Sequence, residues 1–285
     1  MGAGHEEIDG VRLLERYGPW AVIAGASEGM GRDYAHMLAE HGLNCVLVSR
    51  RKALLDEQAA GLERDHGIHT RTIALDLSEH DAAQRLFDLT ADLDVGLYIS
   101  NAGADPRGAF FLDCPIDDWL GMLQRNTATV MGSCHRFATA MKRRGHGGIL
   151  IMASGAGLGG GPRLAVYSAT KAFEIAFAES LWSELGPHGI DVTCLVAPAT
   201  DTPALQRLLE CSGLKPEGLY ASEEVARTGL RELGGGPTYI FPFADVTPEQ
   251  AAAHSEARRE RVEKVARSSA AMFYGKVDET PEETS

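Results

Sequence analysis

Tyr167 and Lys171 stand four residues apart in Tyr167-Ser168-Ala169-Thr170-Lys171. On a helix, positions i and i+4 share a face, which brings an ammonium beside a phenol. A free phenol ionises at about pH 10 and is a poor acid or base at neutral pH; an adjacent cation favours phenolate and moves that ionisation toward the working range. Upstream, Ser154 follows the apolar Ile151-Met152-Ala153 and offers a hydroxyl. These types in this spacing point to acid–base chemistry.

Such a set needs a scaffold. Short apolar runs at 20–24, 44–49, 70–75, 95–100, 148–153, 191–196 and 238–241 alternate with segments of helical period at 32–41, 53–65, 81–90, 116–144, 166–185 and 222–233. The alternation predicts an α/β Rossmann fold in a single domain: a doubly wound parallel sheet of about seven strands with helices on both faces. Open sheets of this kind bind ligands beyond their strand ends. Ser154, closing the fifth run, and Tyr167, opening the next helix, are therefore expected to meet there. The expected organisation is a polar segment at 1–18, a dinucleotide-binding and catalytic domain at 19–245, and a helical extension with an acidic tail at 246–285.

After the first run comes Gly25-Ala26-Ser27-Glu28-Gly29-Met30-Gly31, leading into a helix. Strand, glycine-rich turn and helix in that order place backbone N–H groups and a positive helix end around a pyrophosphate. With its Gly-X3-Gly-X-Gly spacing and the Tyr-X3-Lys pair, the sequence resembles the short-chain dehydrogenase/reductase family from about Trp20 to Phe241. Ala24 stands where that family usually has Thr.

The resemblance implies hydride transfer between a nicotinamide and a carbonyl or alcohol carbon. Tyr167 would pass the proton, Lys171 would assist it and bind the ribose, Ser154 would hydrogen-bond the substrate oxygen, and Asn126 would hold a water linking Lys171 to solvent. Asp76-Leu77 matches the family's adenine-edge site, and Asn101-Ala102-Gly103 matches its Asn-Ala-Gly motif. Pro198, Thr200 and Thr202 fall where the family contacts the carboxamide, although the usual Pro-Gly pair is absent. At the end of the second run, Ser49 occupies the position of an acidic ribose ligand and Arg50-Arg51 follow, which favours NADP(H) over NAD(H). Glu28 opposes this, since NADP-using members carry a basic residue before the middle glycine.

Composition sets the outer limits. The 285 residues carry a net charge of −13, which argues against a nucleic-acid polymer as partner. The 32 glycines are about 11% of the chain against a usual value of roughly 7%, in keeping with tight turns. No apolar run has the length of a membrane span, and the N-terminus lacks the form of a signal peptide, so a soluble cytoplasmic protein is expected. The five scattered cysteines read as reduced thiols, and the ten histidines show no metal-ligand spacing.

Substrate contacts are expected from 155–164, 203–219 and 103–111. Leu205, Leu208, Leu209 and Leu214 would form an apolar lid suited to an apolar ketone or secondary alcohol, whether steroid-like, alicyclic, aromatic or acyl. The helix after Tyr167 is apolar nearly all round, which fits the family's habit of forming homodimers or homotetramers through it. The alternative is a nucleotide-binding regulator or scaffold that keeps the fold without catalysis.

Overall fold

Seven short strands, rich in the β-branched and aliphatic residues that tolerate burial on both faces, run through the middle of the chain. They are β1 (Trp20–Ala24), β2 (Asn44–Ser49), β3 (Thr70–Ala74), β4 (Val95–Ser100), β5 (Gly147–Ser154), β6 (Ile190–Ala197) and β7 (Thr238–Ile240). The computed structural model describes residues 10–105, 107–212, 218–242 and 246–273. All neighbouring strands pair in parallel, in the order β3-β2-β1-β4-β5-β6-β7. The chain winds outward from β1 to β3, then crosses back to β4, so a crevice opens above the ends of β1 and β4.

The helices are α1 (Gly10–Tyr17), α2 (Gly29–Glu40), α3 (Lys52–His66), α4 (Ala82–Asp88), α5 (Ile116–Leu123), α6 (Thr129–Arg144), α7 (Ala165–Leu185), α8 (Pro203–Ser212), α9 (Ser222–Glu232) and α10 (Pro248–Phe273). One side of the sheet packs Leu38 of α2, Leu62 of α3 and Leu230 of α9 against Ile23, Leu47 and Leu150. The other packs Leu86 of α4, Phe137 of α6 and Ile175 of α7 against Val22, Ile149 and Val192. The expected strands and helices lie within a few residues of these, with three differences.

The helix expected over 116–144 is split. Residues Gln124–Ala128 form a π turn between α5 and α6, and the wider turn carries Asn126 into the interior, where it is fully buried. The N-terminal segment contains α1, whose Leu13 and Tyr17, four apart, are both buried. Tyr17 Oη donates to Asp191 at 2.6 Å, and Arg16 Nη2 donates to the same carboxylate at 2.7 Å. This clasp lies at the start of β6, the end of the sheet away from the crevice.

Between β6 and α9, the segment with the lid leucines forms α8, flanked by a two-residue pairing of Thr200–Asp201 with Tyr220–Ala221. Leu214 lies outside the described residues, as does the acidic tail from 274 onward. The C-terminal helix, α10, covers the edge strand β7. Ile240 N–H donates to Ser255 Oγ at 3.0 Å, and Arg258 Nε donates to Glu179 of α7 at 2.6 Å. An edge covered in this way offers no open ladder to another chain.

Among the described residues, no helix is long and apolar enough to cross a membrane, and no cluster of His, Cys, Asp or Glu fits a metal ion.

Candidate active site

The glycine turn leaves β1 under tight steric control. Gly25 takes φ +84°, a left-handed conformation that favours glycine, while its N–H donates to Val48 O at 2.8 Å. A Cβ on Gly31 would lie 2.0 Å from the Gly25 carbonyl oxygen, so the turn closes backbone against backbone. Asn101 braces it from β4: its Nδ2 donates to Gly25 O at 3.0 Å, and its N–H donates to Ala24 O at 3.2 Å. Ala102 packs directly on Gly25.

Glu28 precedes α2 in extended conformation, and no side chain caps the helix. Its carboxylate turns instead to Arg51, 2.8 Å away, and to Arg207 of α8. Burial would raise the Glu28 carboxyl, but the two arginines outweigh it and hold it below its usual range. The N–H groups that open α2, from Gly29, Met30 and Gly31, are thereby left to an external anion. This cradle fits the pyrophosphate of a dinucleotide.

The two arginines after β2 divide their work. Arg51 Nη2 donates to Ser27 Oγ at 2.7 Å, and its N–H donates to Ser49 Oγ at 3.1 Å. Arg50 stays 72% exposed, with Asp76 as its nearest carboxylate at 3.7 Å. Asp76 accepts from Ser78 N–H and Oγ at 2.9 and 2.6 Å. Burial acts upward on Asp76, but Ser78 and Arg50 leave its carboxyl lowered. The Leu77 side chain belongs to the core, and its carbonyl accepts from Thr129 Oγ1 at 2.9 Å.

Ser154 ends β5 half-buried, and its Oγ accepts from Ala156 N–H at 3.3 Å. The Lys171 ammonium lies 5.8 Å from the centre of the Tyr167 ring and donates to Met152 O, two residues before Ser154, at 2.8 Å. Its second acceptor is Glu174 Oε2 at 2.7 Å. Asn126 Nδ2 donates to Gly103 O at 3.3 Å and Thr170 Oγ1 at 3.1 Å, which ties the π turn to both β4 and α7. A Cβ on Gly103 would lie 2.8 Å from Lys171 Nζ. Asn126 and Lys171 thus share the neighbourhood of Gly103, with Tyr167 beside Lys171 on α7 and Ser154 two residues beyond the Met152 carbonyl that holds the ammonium.

After β6, Thr200 Oγ1 donates to Pro198 O at 2.9 Å and is buried. Thr202 Oγ1 accepts from Leu205 N–H at 3.2 Å and so caps α8, while its methyl group faces Gly29. The Thr202 hydroxyl thus serves as an acceptor, whereas the Thr200 hydroxyl donates its proton to Pro198.

The three segments expected around the substrate converge. Arg163 lies over the Phe110 ring at 4.6 Å, and a Cβ on Gly108 would meet Leu208 of α8 at 2.9 Å. Phe110, Phe111, Leu112 and Leu158 are exposed apolar side chains of this region. Within the glycine cluster, Gly157 lets the loop after Ser154 rest on the α7 backbone, where a Cβ would meet Lys171 C at 2.7 Å.

Sequence reasoning missed Glu174, Arg207 and Arg125. Arg125 sits beside Asn126, donates to Ala104 O at 3.0 Å and Asn126 Oδ1 at 3.1 Å, and has its pKa lowered by burial. A charged residue inside an apolar helical run was the available signal for Glu174. Arg207 carried none, because its partner is 179 residues distant in the chain.

A family model described as short chain dehydrogenase matches residues 19–211. A very-long-chain 3-oxoacyl-CoA reductase of Podospora anserina is 34% identical over 236 residues, which span 81% of this chain and 68% of that protein. A 7beta-hydroxysteroid dehydrogenase of Clostridium sardiniense is 32% identical over 233 residues, spanning 81% and 88%. A solved structure from a study of 7beta-hydroxysteroid dehydrogenase stereoselectivity superposes with a TM-score of 0.76 at 25% identity, covering 90% of this chain and 98% of that one.

Proposed function

The chain belongs to the short-chain dehydrogenase/reductase family, oxidoreductases of CH–OH and C=O groups, and from that premise we propose that it reduces an apolar ketone, or oxidises the matching secondary alcohol, with NADP(H). The observation that supports the reading is the Lys171 ammonium, set beside the Tyr167 ring and anchored on the Met152 carbonyl two residues before Ser154.

When bound, the nicotinamide cofactor supplies or accepts the hydride. The turn from Gly25 to Gly31, with Asn101, Ala102 and Gly103 behind it, holds the pyrophosphate. Asp76 and Leu77 border the adenine, and Thr202 serves the carboxamide. Arg50 is the arginine for a 2′-phosphate, because Arg51 is already committed to Ser27 and Glu28. Tyr167 Oη gives a proton to the substrate oxygen in reduction and takes it back in oxidation. Ser154 donates a hydrogen bond to that same oxygen. Lys171 sets a cation beside the Tyr167 ring and binds the ribose, and Asn126 braces Gly103 and Thr170 beside it and serves the water relay to solvent.

Apolar substrates fit the rim of Phe110, Phe111, Leu112 and Leu158, and the names of the relatives specify a long acyl chain and a steroid. The test is NADPH oxidation against a panel of steroid, alicyclic, aromatic and 3-oxoacyl ketones. Tyr167→Phe should keep NADPH binding, followed by cofactor fluorescence, and lose at least about 100-fold in kcat. Substantial residual turnover would refute the role of Tyr167. No oxidation of NADPH with any ketone would favour the silent nucleotide binder.

A further inference from the structure

Glu174 interrupts the apolar run Ala172-Phe173-Glu174-Ile175-Ala176-Phe177, yet it lies on the buried side of α7 at 1% exposure. An aliphatic residue would fill that space without removing a carboxylate from water. A buried ion pair contributes no more to stability than a well-packed apolar pair of the same volume. The carboxylate is thus a costly choice on packing grounds. Its hydrogen-bond donor is Lys171 Nζ at 2.7 Å, and Lys171 is itself only 3% exposed. An ammonium has three N–H groups. One goes to Met152 O and one to Glu174, which leaves one for the crevice.

We propose that Glu174 is a positioning residue for the reaction: it holds the Lys171 ammonium charged and aimed at the crevice, and through it acts on proton transfer at Tyr167. This rests on the assignment of Tyr167 and Lys171 as the reactive pair.

The groups around Glu174 support the arrangement. Lys171 shares its helix, Arg125 approaches from the π turn, and Tyr98, Cys134 and Cys194 face it from β4, α6 and β6. Burial raises the phenol and both thiols, so Lys171 and Arg125 are the cations of the set. Burial also pushes the Glu174 carboxyl up to about 7, against the pull of Lys171 and Arg125. On Lys171 burial acts downward, but Glu174, followed by Tyr167, outweighs it and leaves the ammonium raised. Without the carboxylate, burial acts on that ammonium with less opposition.

The test compares wild type, Glu174→Gln and Glu174→Asp in ketone reduction across pH. Gln keeps the shape and removes the charge; Asp keeps the charge. In Glu174→Gln the alkaline fall of kcat should move down by about one pH unit, the tenfold change that one unit of pKa represents, while Glu174→Asp stays nearer wild type. Superimposed profiles for wild type and Glu174→Gln overturn the proposal.

A second readout needs no cofactor. With its carboxyl raised from 4.5 to about 7, Glu174 favours the fold in full below about pH 4.5, and that contribution is lost as pH rises through about 7. The melting temperature of Glu174→Gln should therefore gain on wild type between about pH 5 and about pH 8. If Tyr167→Phe still turns over, the reactive pair itself is misassigned. If Tyr167→Phe is inactive and the Glu174→Gln profile is unmoved, this proposal alone fails.

Discussion

Arg207 of α8 donates to both carboxylate oxygens of Glu28, so α8 is fastened to the glycine turn proposed to cradle the cofactor. Both partners are partly exposed, and such pairs contribute at most about 1 kcal/mol to stability. Arg207→Ala should accordingly leave the melting temperature almost unchanged. Its effect should fall on α8, as faster chymotryptic cleavage near Leu205 and Leu208 together with a raised KM for ketone. Unaltered cleavage would mean that α8 is held by its apolar contacts alone.

Gly31→Ala sets a Cβ 2.0 Å from a backbone oxygen, and neither group can swing aside as a side chain does. The turn must open, and NADPH affinity should fall at least about tenfold, equal to about 1.4 kcal/mol, in a fluorescence titration. The same substitution at Gly160, where nothing lies within 4 Å, is the control and should bind normally.

Arg50 and Arg51 should separate in cofactor selection. Arg50→Ala removes the more exposed guanidinium and should weaken NADPH by roughly tenfold or more while leaving NADH unchanged. Arg51→Ala frees Ser27 and Glu28 and should weaken both cofactors alike. Equal losses of the two cofactors in Arg50→Ala would take the 2′-phosphate away from that residue.

Self-association should run through α6 and α7, where Met131, His135 and Ala138 face Phe177 and Leu181 across an open apolar groove. Light scattering should report a dimer or tetramer for wild type. Met131, half exposed on this face, replaced by Lys should shift the population toward monomer. A wild-type monomer would leave the groove to another use.

The sheet was legible because parallel strands buried on both faces are written as unbroken apolar runs, as in Val95–Ser100, where every residue is buried. The proposed reactive set was suggested by the sequence because Tyr167 and Lys171 are local neighbours on one helix and Ser154 ends a strand. The split at Asn126 was not. A π turn keeps helical composition, and its cause is tertiary: the bonds of Asn126 to Gly103 and Thr170. Nor were the partners of charged residues, since Glu28 with Arg207 and Tyr17 with Asp191 join positions whose distance in sequence says nothing about their contact.

The ring of Tyr17 lies against Gly148 and its hydroxyl holds Asp191, so a residue outside the matched segment 19–211 grips the rear of the strand that carries Ser154 at its front. Homology and mechanical integrity thus have different borders in this molecule. The proposed reactive residues lie in the shared segment, but the strand beneath them is anchored from the N-terminal side of that border. An excised copy of the shared segment would keep the reactive residues and lose the rear anchor of their strands.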